Sequence, residues 1–156
     1  MQGKNHRRLN SLWITGLLLL LAVPGAAAEQ GAGPDATSVT ANPVGLVMDS
    51  RANAYTVDRI TGKVFCLPPG NEPIHYATIS DEPTTLAVDR RRTLFIGTAT
   101  GHILAVRLDG TVCAAFRCPH GVTGLAVDRD GGLLITTGNG TLVKVRRAEL
   151  VMKRVN

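Results

Sequence analysis

The sequence predicts an all-β protein built from three copies of one four-stranded unit. Three observations carry that prediction. Aspartates Asp49, Asp89 and Asp128 recur 40 and 39 residues apart. Glycines Gly62, Gly101 and Gly140 follow them by 13, 12 and 12 residues, so the copies align with a single one-residue insertion. Around these landmarks the chain breaks into short apolar runs rich in Val, Leu, Ile and Thr and separated by Asp, Gly, Pro and Asn, which is the composition of strands and turns.

In chain order the expected strands are 45–48, 54–57, 63–67 and 74–79 in the first copy. They are 86–88, 94–97, 102–106 and 112–116 in the second, and 125–127, 133–136, 141–145 and 150–155 in the third. The first strand of each copy ends on the recurring aspartate. Its carboxylate is placed to accept N–H groups of the turn that follows, so Asp49, Asp89 and Asp128 are expected to be structural turn residues. The second strand ends at Asp58, Thr98 or Thr137, and the third follows the recurring glycine. The third strand exits through Pro68-Pro69-Gly70, Asp109-Gly110 or Arg146-Arg147-Ala148.

A period near 40 with four strands per unit marks the blade of a β-propeller, in which successive blades stack because one alone buries too little. The strings PVGLVMD, PTTLAVD and VTGLAVD, each followed by a second strand and then by GKVFCL, GHILAV or GTLVKV, resemble the NHL repeat. They are similar also to its relatives among six-bladed propellers, the SMP-30 and virginiamycin B lyase-like groups. The resemblance spans 43–156, with blades at about 43–81, 82–119 and 120–156. Only the first copy keeps the aspartate that commonly ends the second strand, Asp58. Enzymes of this type, the resemblance implies, hold a central metal through carboxylates, Asn or His on the inner strands. Here those strands start with Val44-Gly45, Thr84-Thr85 and Thr123-Gly124, a poor donor set for Ca²⁺.

Propellers close with about four to eight blades. Three cannot close a ring, so the expected partner is a second copy completing a six-bladed pseudo-ring, or another repeat protein. The remaining reading is a non-functional remnant of a longer propeller.

The 156 residues include 17 Lys+Arg against 12 Asp+Glu, a formal charge of +5. Three of the cations, Lys4, Arg7 and Arg8, precede the apolar run 12–23, which is followed by Pro24, Gly25 and Ala26-Ala27-Ala28. This pattern predicts a secretory signal peptide over 1–28, cut between Ala28 and Glu29. The run is shorter than the roughly 18 residues of a spanning helix. Residues 29–42 read as a flexible linker. Without the leader the net charge falls to +2, which makes no case for nucleic acid, and the expected location is periplasmic or secreted.

In the propeller arrangement the ligand face is formed by loops joining second to third strands and fourth strands to the next blade. The candidate ligand-binding residues there are Asp58, Arg59, Asp81, Glu82, Arg117, Cys118, His120 and Asn139. Cys118 and His120 could bind a soft metal, or act as nucleophile and base. No further ligand stands at metal-site spacing, so no catalytic residue, metal or cofactor is assigned. His75 and His102 receive no role. The odd spacing of Cys113 and Cys118 puts them on opposite strand faces, where they cannot bond to each other, so an odd thiol stays free or pairs across chains.

The function expected is therefore an exported binding or accessory module for a protein or ligand in the periplasm. The alternative is a metal-dependent lactonase or lyase assembled in a dimer, with Ca²⁺ or Zn²⁺ held by Asp58, Asp81, Glu82 and His120.

Overall fold

A computed structural model describes residues 38–155. The expected signal peptide and most of the expected linker lie outside the described residues. Strands β1 (Pro43–Met48), β2 (Ala54–Asp58), β3 (Lys63–Leu67) and β4 (Ile74–Thr78) form one antiparallel sheet in chain order. Strands β5 (Pro83–Val88), β6 (Leu94–Thr98), β7 (His102–Val106) and β8 (Val112–Arg117) form a second. Strands β9 (Val122–Val127), β10 (Leu133–Thr137) and β11 (Leu142–Val145) form a third. The first strands β1, β5 and β9 lie side by side, so the sheets stack as blades. The architecture is a partial β-propeller.

Period-two alternation explains how the middle blade is buried on both faces. Leu94, Ile96, Leu104 and Val106 pack against Tyr55, Val57, Val64 and Cys66 of blade 1. Their neighbours Phe95, Ile103, Ala105 and Cys113 pack against Val122, Leu133, Ile135 and Val145 of blade 3. Each large side chain buried this way contributes about 1.5–3 kcal/mol. Gly97 sits where β6 meets β9: a Cβ there would lie 2.5 Å from Val122 Cγ1 and 2.8 Å from Thr85 Cγ2. The Thr84 hydroxyl, 2.6 Å from the Val122 carbonyl, donates across the same junction.

Two sequence expectations are corrected by the structure. The fourth strand of blade 3 does not form there. After β11 the chain turns through a short 3₁₀ segment, Arg147–Glu149, and β12 (Lys153–Arg154) pairs antiparallel with β8. Blade 2 thus has five strands and blade 3 has three. Leu150 and Met152 pack on the core between blades 2 and 3, and that burial draws the segment to β8 rather than to β11. The cysteine expectation is also corrected. A register irregularity in the β7–β8 pair shifts the alternation, so Cys113 and Cys118 share one core instead of facing opposite ways. Both are free thiols, as is Cys66 in the other core, and all three are buried. The end faces mix apolar side chains with a few polar ones. Where blade 2 carries Phe95, Ile103 and Ala105, blade 3 carries Leu134, Leu142 and Lys144; where it carries Leu94 and Ile96, blade 1 carries Ala54 and Thr56.

On one rim, called lower here, the recurring aspartates organise the β1–β2, β5–β6 and β9–β10 turns. Asp49 Oδ1 accepts the Arg51 and Asn53 N–H groups at 2.8 and 3.0 Å. Asp89 Oδ1 accepts those of Arg91 and Thr93, both at 2.8 Å. Asp128 Oδ1 accepts those of Asp130 and Gly132 at 2.9 and 2.8 Å. Burial pushes the Asp49 carboxyl up, but hydrogen bonds from Asn53, Arg51 and Tyr55 hold it below the usual range.

Candidate functional site

The opposite, upper rim is tied by a repeating set of backbone bonds. Arg59 donates to Asn42, Ile79 to Gly62, Ala99 to Glu82, Cys118 to Gly101 and Gly138 to Gly121, at 2.8–3.0 Å. These bonds hold the loops in fixed positions, so side chains on them have defined geometry.

One group of those side chains bridges two blades. Asp81 leaves blade 1, His102 opens β7 of blade 2, and Arg117 ends β8. Asp81 Oδ2 lies 2.6 Å from His102 Nδ1, and His102 Nε2 lies 2.6 Å from an Arg117 guanidinium nitrogen. A guanidinium can only donate, so Nε2 must accept, and the proton of neutral His102 stands on Nδ1, where it is donated to Asp81. Thr100 Oγ1 approaches Asp81 Oδ2 and His102 Nδ1, both at 3.2 Å. The buried Thr98 hydroxyl accepts the His102 N–H at 3.0 Å, fixing the backbone that carries the ring.

Beside this cluster a cleft of about 640 Å³ lies between the outer parts of blades 1 and 2. Ile79, Leu104, Val112, Ala114 and Val155 make apolar walls; Asp81 and His102 also line it, as do Thr111 and Arg154. Toward the lower rim the Tyr76 hydroxyl donates to the Arg107 carbonyl at 2.7 Å, linking the same two blades. Gly110, with φ of 78°, makes the adjoining turn; a Cβ there would come within 2.8 Å of the Tyr76 carbonyl.

The eight residues singled out from sequence are therefore distributed unevenly. Asp81 and Arg117 meet through His102. Arg59 and Glu82 form an exposed ion pair at 3.9 Å across the blade 1–blade 2 boundary. Asp58 is committed to its own turn: Oδ1 accepts the Ile60 and Thr61 N–H groups at 2.9 and 2.7 Å, and Oδ2 accepts the Thr40 hydroxyl. The Thr40 hydroxyl and the Thr61 N–H hold this carboxyl far below the usual carboxylate range. Asn139 does comparable work in blade 3, its Oδ1 accepting the Thr137 hydroxyl at 2.6 Å and the Thr141 N–H at 3.2 Å. Cys118 is 1% exposed in the core, and burial pushes its thiol up, away from the thiolate a nucleophile needs. His120 is exposed on the rim, in different surroundings from the Cys118 thiol.

Sequence reasoning missed His102. Its parity along β7 was the available signal: it shares a face with Leu104, which points to blade 1, and Asp81 is where blade 1 ends.

The residues do not fit a propeller-type metal centre. Two hydroxyls at the inner-strand starts are already engaged, Thr84 with Val122 and Thr123 with Thr136 at 3.1 Å. Asp58 serves its turn and Glu82 pairs with Arg59. Among the described residues, no three His, Cys, Asp or Glu side chains gather in a way that could hold a metal ion. Also among the described residues, no helix is long and apolar enough to cross a membrane.

No family model and no curated protein matches the sequence. Solved structures do match the fold. A virginiamycin B lyase from Staphylococcus aureus aligns with a TM-score of 0.53 at 12% identity, over 67% of this chain and 41% of that one. Regucalcin from Agrobacterium tumefaciens, described as a calcium-binding protein, aligns with a TM-score of 0.56 at 15% identity, over 67% and 47%. A gluconolactonase from Xanthomonas campestris aligns with a TM-score of 0.60 at 20% identity, over 70% and 39%. The aligned part spans less than half of each of these proteins. At such identities the likeness shows the fold: the chain is built like a portion of the virginiamycin B lyase and SMP-30-like β-propellers.

Proposed function

We propose that the protein is exported and acts by binding, as a propeller-type accessory module of the periplasm whose working surface is the upper rim and the adjoining cleft. The observation that carries this reading is the Asp81–His102–Arg117 chain. It fixes hydrogen-bonding groups from two blades beside a concave, mostly apolar space, the combination that small-ligand and peptide sites use. The N-terminal charge and apolar pattern supports export.

The lyase and lactonase among the structural neighbours motivate a catalytic alternative with Ca²⁺ or Zn²⁺. The engagement of Thr84, Thr123, Asp58 and Glu82 weighs against it, because Ca²⁺ needs several free oxygen ligands with charge among them.

Immobilised protein starting at Glu29, exposed to periplasmic extract, tests the reading. Wild type is expected to retain a specific component; His102→Ala and Asp81→Asn lose it, and Arg90→Gln on the lower rim keeps it. Equal retention by all four proteins, or a stoichiometric metal in the purified protein, contradicts the proposal.

A further inference from the structure

We infer that residues 36–39 of this chain complete blade 3 of a second copy: they add beside β11 as its fourth strand, and two copies joined at both ends make one ring of six blades. This inference stands apart from the ligand reading above. Diversion of Lys153–Arg154 to β8 leaves β11 at the edge of a three-stranded sheet, whereas the equivalent strands β3 and β7 are covered by β4 and β8. An open edge of this kind is a template for a further strand.

The register of the chain names the occupant. Asn42, Glu82 and Gly121 each stand directly before a first strand, and each accepts the same upper-rim backbone bond, from Arg59, Ala99 and Gly138 respectively. Three residues before them stand Val39, Ile79 and Cys118. Ile79 and Cys118 end the fourth strands of their own blades and donate to Gly62 and Gly101 there, at 3.0 and 2.8 Å. By the same count Val39 ends a fourth strand, and the glycine left for it in the series is the partner's Gly140. The space around the three glycines agrees. A Cβ at Gly62 would run into the Ile79 carbonyl oxygen and one at Gly101 into that of Cys118, but one at Gly140 meets nothing within 4 Å among the described residues. In the first two blades Lys63 faces Thr78 and His102 faces Arg117, and the next rungs are Val64 with Ala77 and Ile103 with Phe116. The same rungs put Ser38 opposite the partner's Thr141 and Thr37 opposite the partner's Leu142.

The two end faces carry apolar groups that such a junction covers. Leu86 and Val88 on β5 pack into the core between blades 1 and 2, whereas their counterparts on β1, Leu46 and Met48, are 73% and 62% exposed. Val64 and Ile103 are fully buried against the following blade, whereas their counterpart Leu142 is 66% exposed. Blade 1 of each copy meets blade 3 of the other, the two junctions are related by a two-fold axis, and the assembly closes at two chains.

Disulfide trapping in concentrated protein starting at Glu29 tests the junction. The rung of Ser38 and Thr141 is next to the hydrogen-bonded one of Val39 and Gly140, so it is the closer, non-bonded kind, with Cα atoms about 4.5 Å apart and within reach of a disulfide. Both residues are exposed, and the three native thiols are buried. Ser38→Cys chains mixed with Thr141→Cys chains in a glutathione redox buffer are expected to give a disulfide joining one chain of each kind. Ser38→Cys mixed with Asn71→Cys, an exposed position on the lower rim, should stay at background. The double variant Ser38→Cys/Thr141→Cys should close as a doubly linked dimer. Thr37→Pro removes a strand N–H at each of the two junctions and should weaken self-association about tenfold or more in sedimentation velocity. A Ser38–Thr141 link no more abundant than the Asn71 control, a ladder of longer covalent chains from the double variant, or unchanged association of Thr37→Pro overturns the proposal.

Discussion

Asp81 Oδ2 stands 2.6 Å from His102 Nδ1, and this contact joins the loop leaving blade 1 to the third strand of blade 2. The Tyr76 hydroxyl and Arg107 carbonyl make a second link between the same blades. The cleft that lies between these blades therefore has its geometry set by two hydrogen bonds as well as by the apolar core. Removing the upper link with His102→Ala should cost about 1 kcal/mol in denaturant unfolding, the usual net worth of one such bond. A variant as stable as wild type would show that the pair is not held in solution.

The close approach at Gly97 gives a sharper test of blade packing. Gly97→Ala forces a methyl group against Val122 and Thr85, and overpacking of this kind should destabilise by about 1–3 kcal/mol. A neutral result would mean that blades 2 and 3 sit farther apart than described.

Arg147 supplies the counter-charge for a buried carboxylate. Among the described residues Asp89 Oδ2 is buried without a hydrogen-bond partner and its ion-pair contact is an Arg147 guanidinium nitrogen at 3.5 Å. Arg147→Ala leaves that oxygen unpaired and should cost about 1–3 kcal/mol. The exposed neighbour Arg90, changed to Ala, should stay within about 0.5 kcal/mol of wild type. Equal effects at the two positions would remove Arg147 from this role.

Acid should act through Asp58. Its folded carboxyl titrates below the ordinary value of 3.8, so it contributes stability that is fully present above that value and is lost as pH falls through the lower, folded one. Asp58→Asn should therefore be less stable than wild type at pH 7, with the difference shrinking below about pH 4. A pH-independent difference would show that the carboxylate's charge is not what its hydrogen-bond donors recognise.

A second copy, seated blade 3 on blade 1, would bury Leu134 and Leu142 but also Thr136 and Lys144. Such an interface is more polar than either internal one, so association is expected to be concentration-dependent and weak, and Lys144→Val should strengthen it. Sedimentation velocity checks both points; a tight dimer in wild type, or no response to Lys144→Val, would contradict them.

The blade architecture was legible because it rests on local chemistry repeated three times: an aspartate before a turn, a glycine after the second strand, apolar runs between. What the sequence did not disclose depends on non-local choices. The diversion of Lys153–Arg154 to β8 turns on where Leu150 and Met152 find cover, and strand composition does not encode that. The shared core of Cys113 and Cys118 follows from a register irregularity, which counting by twos cannot see. At the site, Asp81 and Arg117 were visible as charged loop residues. His102 was not, because its partners come from a loop 21 residues earlier and a strand end 15 residues later.

Hydrogen exchange on the protein from Glu29, measured with and without its retained extract component, most directly tests the claim that it binds through the rim and cleft. Added protection is expected at 79–82, 100–104 and 117–118. Protection centred instead on the starts of β1, β5 and β9, or protection nowhere, would contradict it.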